Sequence, residues 1–122
     1  MNEMHLRNYA YLGDAVWELF IREKTVKMTD NAKRLHKLTT EKVKASYQAE
    51  LLHYIEDNLT EEEQELARRG RNLPIPVGRR QIQAEYRQAT AFEVLIGYWY
   101  KHNPTRLEQI SGIIEIIWFL NK

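Results

Sequence analysis

Residues 90–100 read Thr-Ala-Phe-Glu-Val-Leu-Ile-Gly-Tyr-Trp-Tyr. Apart from Thr90 and the tyrosine hydroxyls, Glu93 is the only polar side chain in this run. A helix that is apolar nearly all round is a buried one. The pattern therefore predicts a central helix over about 84–101, stopped by Asn103-Pro104. Inside it sits a carboxylate. A buried carboxylate must be paired, protonated or bound to a cation, because leaving it ionised and alone costs several kcal/mol or more.

Working outward, the same periodicity predicts five more helices. Leu12, Ala15, Val16, Leu19 and Phe20 follow the i, i+3, i+4, i+7, i+8 rule and place a helix over about 12–26 with that set as its apolar face. Thr29 or Asp30 suits the cap of a second, with Leu35 and Leu38 on one side. Val43, Tyr47, Leu51, Leu52 and Ile55 carry a third. Thr60 with Glu63 forms a capping box for a short fourth, ending near Gly70. A sixth runs over about 105–120. Between the fourth and fifth, Asn72-Leu-Pro-Ile-Pro-Val-Gly78 reads as an exposed loop spanning 72–84. No segment alternates with period 2, so the fold class is all-α, one domain over residues 1–122.

The composition excludes several chemistries. With no cysteine among 122 residues, disulfides, thiolate metal sites, iron–sulfur clusters and cysteine nucleophiles are impossible. No apolar run approaches the ~20 residues of a membrane span, and nothing after Met1 resembles a signal peptide, so a cytoplasmic protein without membrane association is expected. The net charge of +1 hides strong local asymmetry. Arg22–Gln48 holds eight Lys/Arg against three acids, and Arg68–Arg87 holds six Arg against one. Between them Glu56–Glu65 holds six acids and no base. Two basic patches on a nearly neutral chain suit a polyanion such as nucleic acid.

A second acid also breaks its helix pattern. Asp14 lies off the Leu12/Ala15/Val16/Leu19 face, yet its neighbours on that side are Ala10, Trp17 and Ile21. Asp14 suits an N-cap after Gly13, and Glu93 suits an ion pair with Arg87. The alternative is that the two acids converge as oxygen ligands for Mg²⁺, an ion that needs only one or two carboxylates beside water and phosphate.

The residues that carry these acids have a familiar form. Tyr11-Leu12-Gly13-Asp14-Ala15-Val16-Trp17-Glu18 resembles the Leu-Gly-Asp-Ala motif of ribonuclease III catalytic domains, and Tyr86–Gly97 resembles the second acidic motif of that family. Arg69-Gly70-Arg71-Asn72, Leu35-His36-Lys37 and Gln48-Ala49-Glu50 fit the Mini-III branch, which lacks a double-stranded-RNA-binding domain. The resemblance implies a helical endonuclease domain of about six to seven helices, with Asp14 and Glu93 as catalytic metal ligands. It also departs from the wider family, whose two further acids fall here on Ala10 and Thr90. Whether one metal or two operate is left open by that thinning.

What the resemblance implies is hydrolysis of phosphodiester bonds in double-stranded RNA with Mg²⁺, for which Mn²⁺ substitutes, and maturation of a stem in precursor 23S ribosomal RNA. The resemblance also implies, as a partner, a ribosomal protein that presents the RNA. Without a separate binding domain the RNA must be held by basic side chains. The candidates are Lys33, Arg34, Lys37, Lys42 and Lys44, then Arg69, Arg71, Arg79, Arg80 and Arg87. The family acts as a homodimer, which assigns Tyr11 to the dimer interface; Trp17, with Ala10 and Ile21 on the second side of the first helix, agrees with a buried partner surface there, the alternative being packing within the chain. The competing reading is a catalytically inactive RNA- or ribosome-binding module. Retention of both acids argues against it, since a pure binder gains nothing from them.

Overall fold

The computed structural model describes residues 4–75 and 83–120. Among them the chain forms six helices, one 3₁₀ turn and no strand: α1 (Leu6–Thr25), α2 (Ala32–Val43), α3 (Ala45–Ile55), a 3₁₀ turn (Glu56–Asn58), α4 (Glu61–Arg71), α5 (Gln83–His102) and α6 (Pro104–Leu120). The all-helical expectation holds, and the element boundaries agree closely except at the start of α1. None of these helices is long and apolar enough to cross a membrane.

Helix α5 is the axis. It packs against α1, α3, α4 and α6, and Ala89, Ala91, Phe92, Val94, Leu95, Ile96, Gly97 and Trp99 are all buried. Its uniform apolarity is what four neighbouring helices require. The closest neighbour is α1, which runs antiparallel to it. A Cβ added to Gly13 would stand 1.9 Å from the Glu93 carbonyl oxygen, and one added to Gly97 would stand 2.0 Å from the Tyr9 carbonyl oxygen. No described glycine has a positive φ. Gly13 and Gly97 are therefore required for helix-to-helix approach and not for backbone conformation.

The buried face of α1 is not the one its aliphatic spacing predicts. Tyr9, Gly13, Trp17, Ile21 and Thr25 point inward at four-residue intervals, joined by Leu6. Leu19 is 60% exposed and Ala15 is exposed, with Leu12 and Val16 only half-buried. The inward stripe includes a glycine and a threonine, which an aliphatic count passes over. The helix also begins six residues earlier than expected, because His5 caps it by accepting a hydrogen bond on Nδ1 from the Arg7 amide at 3.1 Å. Asp14 accordingly lies mid-helix and caps nothing.

The outer helices are held by specific polar links. Asn31, not Thr29 or Asp30, caps α2, its side chain accepting from the Arg34 amide at 2.9 Å. The hydroxyls of Thr25 and Thr39 meet at 2.9 Å in the buried seam between α1 and α2. The capping box at α4 forms as expected, with Thr60 and Glu63 exchanging hydrogen bonds. Glu63 then does more than cap. Its carboxylate accepts from Trp99 Nε1 at 3.0 Å and from Arg106 Nε at 2.8 Å, so one side chain ties α4 to α5 and α6. Burial alone would raise the Glu63 pKa, but hydrogen bonds from Arg106, the Thr60 backbone and Trp99, with the Arg106 charge, bring it below the usual carboxylate range. On α6, Ile110 and Ile114 are fully buried and Glu115 pairs with Lys24 of α1.

Candidate active site

The close crossing of α1 and α5 has a chemical consequence. Gly13 rests on the Glu93 backbone, and Asp14 is the next residue. The two carboxyl groups, far apart in sequence, meet at that crossing. Burial, a hydrogen bond to Asp14 and the Asp14 charge together push the Glu93 pKa up to about 8, against a smaller opposing pull from Gln48. Burial and the neighbouring Asp14 carboxyl both disfavour the ionised form of Glu93.

Gln48 was not among the site residues expected from sequence. It is 1% exposed, and its Nε2 donates to Glu93 Oε2 at 3.4 Å. The signal was present: Gln48, Leu51, Leu52 and Ile55 share one face of α3, and the other three are fully buried. A glutamine on that face demands a partner.

The remaining expectations divide. Arg87 makes no ion pair with Glu93. Its Nη1 donates to the Arg71 carbonyl at 2.7 Å and the Leu73 carbonyl at 3.5 Å, a cation placed at the C-terminus of α4. Arg7 donates to the Pro74 carbonyl at 3.0 Å and pins the same segment. Arg7, Arg71, Arg87 and Thr90 thus share one small hollow, one helical turn from Glu93. The Thr90 hydroxyl donates to the Tyr86 carbonyl at 2.9 Å. Among the described residues no cluster of three or more His, Cys, Asp or Glu assembles.

Lys33, Arg34 and Lys37 are exposed on α2, as is Lys44 between α2 and α3. Lys42 is half-buried, with Nζ 4.4 Å from the Tyr47 ring centroid and 5.0 Å from that of Trp118. Its ammonium is engaged in cation–π contact within the fold. Arg69 lines a separate hollow of about 600 Å³ over Trp99 and Arg106, whose walls include neither Asp14 nor Glu93. Arg79 and Arg80, and most of the 72–84 loop, lie outside the described residues.

Tyr11 and Trp17 part company. Tyr11 is 84% exposed. Trp17, expected at a dimer interface, is 2% exposed within a single chain. Its Nε1 donates to the Lys42 carbonyl at 2.9 Å, and its ring stacks on Phe20 and meets Phe92 edge-on at centroid separations of 5.1 and 5.0 Å. It belongs to the core because it lies on the Tyr9–Gly13–Trp17–Ile21 stripe.

An all-helical domain with a glycine-mediated crossing that pairs two acids matches one known family. The family model described as Ribonuclease III domain matches residues 7–104. A Mini-ribonuclease 3 of Gloeobacter violaceus is 43% identical over 115 residues, covering 94% of this chain and 85% of its own. One from Thermosynechococcus vestitus is 40% identical, covering 86% and 70% respectively. A crystal structure of a Fusobacterium nucleatum protein superposes with a TM-score of 0.78 at 36% identity, covering 89% of this chain and 88% of that one. The chain belongs to the ribonuclease III family, within its Mini-ribonuclease 3 branch.

Proposed function

We propose that this protein is a divalent-metal-dependent endoribonuclease that hydrolyses phosphodiester bonds in double-stranded RNA. The observation that carries this reading is the convergence of Asp14 and Glu93, where burial first and the Asp14 carboxyl second push the Glu93 pKa up to about 8. Among the described residues no ion pair engages either carboxylate. The donor set is oxygen throughout, which suits Mg²⁺ or Mn²⁺, and two carboxylates leave room for water and phosphate oxygens.

Asp14 and Glu93 would hold the ion. When bound, it lowers the pKa of coordinated water and stabilises charge on the reacting phosphate. The residues of the chain do the rest. Gly13 and Gly97 set the spacing of the two carboxyl groups by letting α1 and α5 touch. Gln48 holds one Glu93 oxygen. Exposed Lys33, Arg34, Lys37 and Lys44 attract the duplex backbone, and Arg79 and Arg80 are proposed to join them. Arg71 and Arg87 shape the hollow beside Thr90.

A homodimer accompanies this reading. Tyr11, Ala15 and Leu19 form an exposed apolar stripe on the outer face of α1, with Val26 at its C-cap beyond them; Tyr11 is 84%, Leu19 60% and Val26 57% exposed. A second copy would cover it. A stem of precursor 23S ribosomal RNA in the cytoplasm is the substrate proposed, by likeness to the branch. The testing experiment compares an RNA duplex with either of its single strands, in Mg²⁺ and in EDTA. Cutting confined to the duplex with Mg²⁺ is expected, and binding without cutting would favour the inactive module.

A further inference from the structure

Among the described residues, Gln48 is a buried side chain outside the acid pair that reaches Glu93. It sits on α3, a different helix from either acid, on a face whose other members Leu51, Leu52 and Ile55 are 0% exposed. An apolar residue there would complete the core. A buried amide left without a partner costs about 1–3 kcal/mol, and its Nε2 instead meets Glu93 Oε2 at 3.4 Å.

The chemical type of the donor is informative. A lysine or arginine in that place would neutralise the acid pair and compete with any cation for it. A third carboxylate would add charge. An amide orients a carboxylate oxygen without altering the net charge of the site. Glutamate has three rotatable side-chain bonds, and a bond to one oxygen fixes where its carboxyl group lies. On the side of α5 facing α1, Thr90 is turned to its own backbone and supplies no such restraint.

We infer that Gln48 is a positioning residue that orients the Glu93 carboxylate for divalent-cation binding in RNA cleavage, an inference that rests on the function proposed above. Gln48 acts through Glu93 and touches neither the cation nor the RNA. Groups that orient metal ligands typically contribute about 10–100-fold to metal affinity or activity.

The test uses Gln48→Met, which keeps an unbranched side chain of similar length without the amide, and Gln48→Asn, which keeps the amide but withdraws it by one methylene. Mn²⁺ binding to the RNA-free protein is followed by electron paramagnetic resonance, beside kcat and KM for a duplex. The expected result is Mn²⁺ affinity and kcat both lowered about tenfold or more, with KM within about twofold of wild type. A folded variant of either kind with unaltered Mn²⁺ affinity and kcat would overturn the inference. So would a lowered melting temperature with unaltered Mn²⁺ affinity, which would assign Gln48 to packing alone. If Gln48→Met does not fold, Gln48→Asn decides by the same readouts. Wild-type protein that neither binds Mn²⁺ nor cleaves duplex would overturn the proposed function and this inference together. A wild type that does both beside unaltered variants overturns the role of Gln48 alone.

Discussion

Gly13 lies so close to Glu93 that a methyl group on its Cα would stand 1.9 Å from the Glu93 carbonyl oxygen. The Leu-Gly-Asp sequence thereby acquires a physical meaning. The glycine allows two helix backbones to touch, and the aspartate that follows it is delivered to the glutamate of the opposing helix.

Gly13→Ala should therefore harm both stability and the site. The clash is with backbone, which cannot swing aside, so the cost should reach about 3 kcal/mol or more, the upper part of the range for overpacking. Gly112→Ala is the control, since a Cβ there meets nothing within 4 Å. It should stabilise α6 by roughly 0.5–1 kcal/mol. Urea unfolding of the two variants would check the contrast.

The acid pair predicts a pH dependence of stability in metal-free protein. Folded Glu93 keeps its proton to about pH 8, whereas the unfolded chain releases it near 4.5. Between those values the unfolded state binds fewer protons, so stability falls as pH rises. Glu93→Gln removes this contribution. Its melting temperature in EDTA should gain on that of wild type progressively from pH 5 to about pH 8 and level off above it, by on the order of 3–6 °C for each kcal/mol involved. Thermal melts that stay parallel across this range would contradict the pairing.

Tyr11 and Trp17 should respond differently. Tyr11→Lys places a charge in the proposed interface and is expected to give a folded monomer by analytical ultracentrifugation. Trp17→Ala empties a core position and should cost about 3–5 kcal/mol, seen by urea unfolding. Association of the Tyr11 variant at wild-type strength would remove the α1 stripe from the interface.

Among the basic residues, Lys33 and Lys37 should act on RNA and Arg87 on the fold. Reversing both lysines to Glu should weaken duplex binding and flatten its salt dependence by about one unit of slope per lost phosphate contact. Arg87→Gln should leave that slope unchanged and lower the melting temperature, because the α4 carbonyls lose their partner. Binding titrations across a salt series separate the two.

Much of this architecture was legible in the residues. The apolar run around Glu93 announced a buried helix, and Thr60 with Glu63 announced the start of another. The face of α1 was misread, because its inward stripe uses Gly13 and Thr25, which no hydrophobic count rewards. Aliphatic spacing leaves Trp17 on the outer side, whereas the inward stripe buries it. The meeting of Asp14 with Glu93 lies beyond periodicity, which describes one helix at a time and says nothing of which helices cross. Gln48 carried a signal in its spacing from Leu51, Leu52 and Ile55, but its partner could be identified only in three dimensions. The bonds of Arg87 to the Arg71 and Leu73 carbonyls were not legible, because charge is visible in a sequence and bare helix-end carbonyls are not.

Asp14 and Glu93 together are proposed to form a cation-dependent cleavage site. The most direct measurement is duplex RNA cleavage in Mg²⁺ by wild type, Asp14→Asn and Glu93→Gln, each first shown to fold and associate normally. Wild type should cut both strands, and each variant should lose cleavage while still binding the duplex. Cleavage by either variant at wild-type rate would contradict the account and return that carboxylate to a structural role.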